Sequence, residues 1–218
     1  MTEQEVYQRI QPLLERSTEG VFWDFKKTLH DYNGIIKDIL AFSNSSYEGD
    51  SYIIIGVSEV NESNHPKKYR IPLSTNDRRR LNTDAKYIYY PGRWNIHGLS
   101  EKDIAKMRQF SATMSEIISN SMLISQPKCE FVPVRIKKSR WLYVIIVKKV
   151  PGVFISCKDI SDSQGKIVVK QGVMYIRIAD TTVGAKTEVA SATEHIRIWK
   201  KYIAWLANME EDGNGQVG

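Results

Sequence analysis

Cysteine is scarce in this chain: two in 218 residues, Cys129 and Cys157, with no CxxC spacing. A disulfide framework and the usual zinc-ligand arrays are thereby excluded, and both thiols, set in apolar strand-like runs, are expected to be free and buried in a reducing compartment. Long apolar runs are missing as well. The longest, such as Trp141 to Val147, are far too short to cross a bilayer, and the polar, acidic N-terminus does not read as a signal peptide. A cytoplasmic protein with no membrane partner is expected. No GxxxxGK[ST], GxGxxG, HExxH or GxSxG segment occurs, so NTP hydrolysis, dinucleotide binding, zinc proteolysis and serine hydrolysis lack their usual signatures, and no nucleotide cofactor is expected. His30, His65, His97 and His195 are widely separated and form no Ser/His/Asp or Cys/His grouping. Internal repeats and low-complexity blocks are absent too.

What is present is an ordinary globular composition with a surplus of cations. Lys plus Arg number 31 against 25 Asp plus Glu, a formal net charge of +6, which favours polyanionic partners such as RNA or DNA. The length suits one domain, expected over 1–209. Thr2 and Glu5 form a capping-box pattern ahead of Val6, Ile10, Leu13 and Leu14, which predicts a helix from Glu3 to about Arg16, with Pro12 able to kink it. Ile35, Ile36, Ile39, Leu40 and Phe42 predict an amphipathic helix after Gly34, ending near Asn44 and Ser45. Tyr52 to Val57 reads as a central strand buried on both faces.

Between the first two helices lies Glu19-Gly20-Val21-Phe22-Trp23-Asp24-Phe25-Lys26. Strand alternation from Val21 to Lys26 sends Val21, Trp23 and Phe25 one way and Phe22, Asp24 and Lys26 the other. A carboxylate beside an ammonium, with a second carboxylate upstream, is an arrangement that divalent-metal phosphodiesterases use. A solvated surface pair has the same spacing.

From about 60 to 99 the periodicity lapses and cations mix with aromatic rings: Arg78, Arg79, Arg80 and Arg93 among Tyr87, Tyr89, Tyr90 and Trp94. Such an excursion suits single-stranded nucleic acid, or a decorated loop with its rings folded beneath it. Ser100 and Asp103 predict the cap of a helix whose inner face carries Ile104, Met107, Met114 and Ile118. Cys129 to Ile136 and Trp141 to Lys149 flank Lys137-Lys138-Ser139-Arg140, a hairpin signal with a basic tip. Strands are expected at Val153 to Cys157, Lys166 to Lys170 and Val173 to Ile178. Thr187 is read as opening the last helix, about 187–208, whose seam of Val189, Ala192, Ile196, Trp199, Ile203 and Leu206 is either core or a dimer contact. The acidic, glycine-rich stretch 210–218 is expected to be disordered. The fold class is thus α+β, mixed β-sheets with packed helices.

Taken in order, Glu19, Asp24-Phe25-Lys26, then Ile36-Lys37-Asp38-Ile39-Leu40-Ala41-Phe42-Ser43-Asn44, then Ile53-Ile54-Ile55-Gly56-Val57, then Tyr175-Ile176-Arg177-Ile178 with Asp180-Thr181-Thr182 resemble the Schlafen AlbA-like domain over about 18–189. The resemblance implies nucleic-acid binding, and in the animal Schlafens a metal-dependent RNA endonuclease. Carried over, the family's acids fall on Glu19, Asp24 and Glu59, with Asp24 where Glu is usual and Glu59 where Asp is usual. The zinc element of animal members has no counterpart, so no zinc is expected. Those members pair two lobes in one chain, which makes a homodimer the analogous assembly here.

On that reading Glu19, Asp24 and Glu59 would bind Mg²⁺ or Mn²⁺, Lys26 would steady the phosphate, and Arg78, Arg79, Arg80, Arg93, Lys137, Lys138 and Arg140 would follow the backbone. The substrate would be structured, tRNA-like RNA or a single strand. Two other readings stay open: a non-catalytic DNA- or RNA-binding module whose acids pair with Lys26, and a homo-oligomeric scaffold working through its last helix.

Overall fold

A computed structural model of the chain describes residues 1–16, 19–28, 32–59, 70–89, 94–120, 124–162, 164–180 and 184–214. The elements are α1 (Glu3–Leu14), β1 (Trp23–Lys26), α2 (Tyr32–Ser43), β2 (Ser51–Ile55), β3 (Val57–Glu59), β4 (Arg70–Pro72), α3 (Thr75–Leu81), β5 (Tyr87–Tyr89), β6 (Trp94–Ile96), α4 (Glu101–Asn120), β7 (Cys129–Lys137), β8 (Arg140–Val147), β9 (Ile160–Ser161), β10 (Ile167–Val169), β11 (Tyr175–Asp180), β12 (Gly184–Val189) and α5 (Ala192–Asn214). The class is α+β.

The centre is a four-stranded sheet in the order β1-β2-β8-β7, with β1 parallel to β2 and the other pairs antiparallel. Parallel pairing sets Asp24 beside Ile53 and Phe25 beside Ile54, so side chains sort cleanly by face. Trp23, Phe25, Tyr52 and Ile54 join α1's Val6, Tyr7, Ile10 and Leu14 in one core. Ile53, Ile55, Tyr143 and Ile145 pack on the other face against Ile36, Ile39 and Leu40 of α2 and Ile104, Met107, Phe110 and Met114 of α4. Helices on both faces explain why β2 reads as an unbroken apolar run.

The caps anticipated for α1 and α4 are formed. Thr2 and Glu5 exchange side-chain and backbone hydrogen bonds, and Ser100 does the same with Asp103. Pro12 lies inside α1, which ends at Leu14.

Several expectations are corrected. The first strand starts at Trp23, because Val21 and Phe22 form a turn that closes on a Gly20–Trp23 bridge; Phe22 then stacks on Tyr47 instead of sharing Asp24's face. The Tyr52–Val57 run breaks at Gly56, whose φ of 105° ends β2 and turns the chain into β3, which pairs with β6. The 60–99 excursion holds short regular elements, β4 paired with β5 and α3 between them; residues 60–69 and 90–93, Arg93 among them, lie outside the described residues. Thr187 does not open the last helix. It sits in β12, paired with Arg177 of β11, and the helix starts at Ala192 behind Ser191, whose Oγ accepts from Glu194 N at 3.3 Å. The helix then continues to Asn214, through half of the stretch expected to be disordered.

Apart from Trp199, the seam expected on the last helix is not core. Ile196, Ile203 and Leu206 are 56, 59 and 40 % exposed, and Val189 is 63 % exposed in β12; the side that packs carries Ile198, Trp199 and Tyr202, in a small core with Val153, Ile155, Met174 and Ile176. Cys129 is half-buried and Cys157 is exposed, not buried as expected; both are free. Among the described residues no helix is long and apolar enough to cross a membrane.

Candidate functional site

The β11–β12 hairpin packs over α2, and this brings residues distant in sequence onto one buried polar ring. Asp24 and Lys26 leave β1 on the α2 face. Lys26 Nζ lies 2.6 Å from Asp24 Oδ2, an ion-pair contact outside hydrogen-bond alignment, and 2.9 Å from Asp38 Oδ2 on α2. Thr187 Oγ1 of β12 donates to Asp38 Oδ1 at 3.0 Å. Arg177 of β11 closes the ring: its Nη2 donates to Asp24 Oδ1 at 2.8 Å and Glu19 Oε2 at 3.1 Å, and its Nη1 to Thr187 Oγ1 at 3.4 Å. Glu19 is held in turn by the Phe25 N–H, which donates to its Oε1 at 3.1 Å. The guanidinium also lies over the Phe42 ring, 5.3 Å from its centroid.

Burial of three carboxylates with two cations sets the protonation pattern. Burial, then the neighbouring Asp24 charge, pushes the Glu19 carboxyl up to about 8. Burial also acts to raise Asp24, but Lys26 and Arg177 beside it hold its carboxyl below the ordinary value. Burial raises Asp38, with Lys26 opposing. Burial disfavours the Lys26 ammonium, and Asp38 and Asp24 overcome that, raising it above the ordinary lysine value. With Glu19 protonated, the two cations Lys26 and Arg177 face two remaining carboxylates, Asp24 and Asp38, a pairing that a low-dielectric interior favours.

Of the residues expected at a site, the structure brings some together and not others. Glu19, Asp24 and Lys26 do converge. Asp38 and Arg177 join them and supply the pairing that Asp24 and Lys26 need, and Thr187 completes the hydrogen bonding. For Asp38 a signal exists in the sequence, an acid inside an otherwise apolar helix face; for Arg177 there is none apart from the quoted family motif. Glu59 lies in β3, with its side chain outside the described residues. Among the described residues no group of three His, Cys, Asp or Glu side chains is placed to hold a metal ion. Asp24 in particular is 1 % exposed and has both oxygens engaged by cations, so a divalent ion there would have to displace Lys26 or Arg177.

The expected phosphate contacts sort differently. Arg80 is committed to the fold: it pairs with Glu3 and Asp77 and donates to the Arg135 carbonyl, pinning α3 to α1 and β7. Arg78 donates to Thr75 Oγ1 at 3.4 Å, and Arg79 is exposed. Lys137, Lys138 and Arg140 are exposed at the β7–β8 turn. This turn sits at the end of the sheet where β1 finishes in Lys26 and the exposed Lys27, and where Arg140 lies against Gly98. Gly98 has φ 69°, and a Cβ there would come within 3.0 Å of the Arg140 Cβ. One end of the sheet thus gathers cations from the β7–β8 turn, the end of β1 and, through the Arg80 clasp, α3. A cavity of about 240 Å³ lies apart from both features, between the end of α2 and α5, with Lys149, Arg197, Lys201 and Glu48 among its walls.

Compared with known proteins, the chain matches no family model and no curated protein.

Proposed function

We propose that the protein is a nucleic-acid-binding module with a Schlafen AlbA-like fold, that its basic sheet end contacts the phosphate backbone of RNA or single-stranded DNA, and that the Glu19–Asp24–Lys26–Asp38–Arg177 ring is the scaffold that holds β1, α2 and the β11–β12 hairpin together. The observation that carries the reading is a division of labour among charges. Asp24, Lys26 and Arg177 are neutralised internally, whereas Lys137, Lys138 and Arg140 stand exposed on the β7–β8 hairpin. Cations presented this way bind a polyanion without reading its sequence. A single chain supplies one lobe, so two copies acting together as a homodimer belong to the same proposal.

The test is fluorescence anisotropy with a labelled single-stranded RNA and DNA over a salt series. Binding that weakens steeply with salt supports the proposal; no binding to either at low salt overturns it.

Glu19 favours a second reading. A carboxyl that holds its proton near neutral pH, 21 % exposed and beside a buried carboxylate, has the properties of a general acid. A nuclease of this kind would release product from labelled RNA in Mg²⁺ or Mn²⁺ and lose that activity, but not binding, in Asp24→Ala. Intact RNA under all these conditions leaves the binding module alone.

A further inference from the structure

The last helix carries more apolar surface than the body of the protein covers. Over 23 residues, about 35 Å of axis, α5 buries Ile198 and partly buries Trp199 and Tyr202, while Ile196, Ile203, Leu206 and Met209 remain 56, 59, 40 and 55 % exposed. Ile196, Ile203 and Leu206 follow one another by seven and three residues, along with the half-buried Trp199, which is the spacing of a helix-pairing seam. An exposed stripe of this kind calls for a cover.

The charges of the same helix say what the cover is. Lys200 is exposed beside the stripe, three residues before Ile203. The sequence places Glu210, Glu211 and Asp212 in the helix's last turns, and position 211 lies eleven residues, close to three full turns, beyond Lys200, hence on the same flank of the helix. Two copies laid antiparallel bring each Lys200 to the other's position 211 across a seam of Ile203 and Leu206. Laid parallel, the two copies of this flank fall on opposite sides of the seam, so Lys200 does not reach position 211 of the partner. The acidic end is equally unsuited to an anionic lipid surface.

We infer that α5 is the self-association surface of the protein and pairs with α5 of a second copy in antiparallel, two-fold fashion. This rests on the homodimer part of the proposed function and specifies the surface that makes it. A two-fold contact repeats each charge pair, so the helix charges count twice.

Sedimentation velocity on the full chain at concentrations on the order of 10 µM tests this, with far-UV circular dichroism to show that each variant is folded. The expected result is a dimer for the natural chain. Ile203→Glu with Leu206→Glu is monomeric, a weakening of at least about a hundredfold for loss of the central contact. Lys200→Glu alone weakens the dimer by up to about tenfold. The double exchange Lys200→Glu with Glu211→Lys restores it, which parallel pairing cannot do. A natural chain that is monomeric, or dimers that ignore the Ile203/Leu206 change, or a double exchange that fails to restore association, each overturns the inference. RNA binding measured on the same samples separates the two proposals: a dimer that binds RNA and ignores the Ile203/Leu206 change overturns the α5 pairing alone, a monomer that binds RNA overturns the pairing together with the homodimer part of the proposed function, and a dimer that binds neither RNA nor DNA overturns the nucleic-acid reading alone.

Discussion

Arg177 Nη2 lies 2.8 Å from Asp24 Oδ1, with the two side chains 4 and 2 % exposed, and this contact ties the C-terminal hairpin to the first strand of the central sheet. Neither charge reaches water, so each depends on the other. Arg177→Met leaves Asp24 with Lys26 alone and removes the partner of Glu19; the expected loss is about 3–5 kcal/mol, the cost of breaking a buried pair from one side. Arg177→Met combined with Asp24→Asn is expected to cost less than the sum of the two single changes. Urea denaturation of the four proteins gives the coupling directly. Additive losses would mean that the contact carries no interaction energy.

Glu19 makes stability depend on pH in an unusual direction. Its carboxyl is raised to about 8 from an ordinary value of 4.5, so the folded protein holds a proton that the unfolded chain has released over this interval. The stabilisation it contributes is complete below the unfolded value and is lost as pH rises through about 8. Asp24 acts oppositely: its lowered carboxyl contributes stability above its unfolded value of 3.8 that is lost as pH falls. The protein is therefore expected to lose stability on both sides of mildly acidic pH. Glu19→Gln, which keeps a donor in place of the carboxyl proton and an acceptor for the Phe25 N–H, should flatten the alkaline limb while leaving the acidic limb in place. Thermal melts from pH 4 to 9 check this; an unchanged alkaline limb would refute the assignment to Glu19.

The basic sheet end gives a prediction that leaves stability untouched. Lys137, Lys138 and Arg140 are exposed, and changing all three to Ala removes up to three phosphate contacts. The slope of log affinity against log salt should then shrink by about 2 for a single strand. Arg80→Ala is the contrasting case. Its pairs with Glu3 and Asp77 and its bond to the Arg135 carbonyl are structural, so its loss should lower the denaturation midpoint and leave the salt slope alone.

Much of this architecture is written locally. The Thr2/Glu5 and Ser100/Asp103 caps, the helix stripes at Ile35 to Phe42 and Ile104 to Ile118, and the hairpin around Lys138-Ser139 each depend on residues a few positions apart, and the structure has all of them. The errors arise where two local signals compete or where the partner is distant. Thr187 looks like a helix cap, but pairing of β12 with β11 holds it in a strand, and the helix opens behind Ser191. The stripe on α5 reads correctly as a stripe, but the sequence alone cannot say that the body packs on the neighbouring side at Ile198 and Tyr202. The charge ring is the clearest case. Glu19, Asp24 and Lys26 lie within eight residues and are legible as a group, whereas the reason they are buried, pairing with Asp38 and Arg177, appears only once α2 and the C-terminal hairpin are folded together.

Asn44 supplies the last test, because a single side chain there joins three segments. Its Nδ2 donates to the Phe154 carbonyl at 2.9 Å and the Tyr175 carbonyl at 3.0 Å, and its Oδ1 accepts from the Phe154 N–H at 3.1 Å. The residue is 3 % exposed at the end of α2, so these bonds are made away from bulk water. Asn44→Ala leaves two carbonyls and one N–H buried without this partner, and at about 1 kcal/mol for each bond the expected loss is about 3 kcal/mol. For a chain of this size that corresponds to a fall in melting temperature of about 6–12 °C. Asn44→Asp keeps the acceptor but replaces two donors with a buried charge, and should be worse than Ala. If Asn44→Ala melts within a degree or two of the natural protein, the three segments are held by apolar packing alone and the joint assigned to Asn44 is wrong.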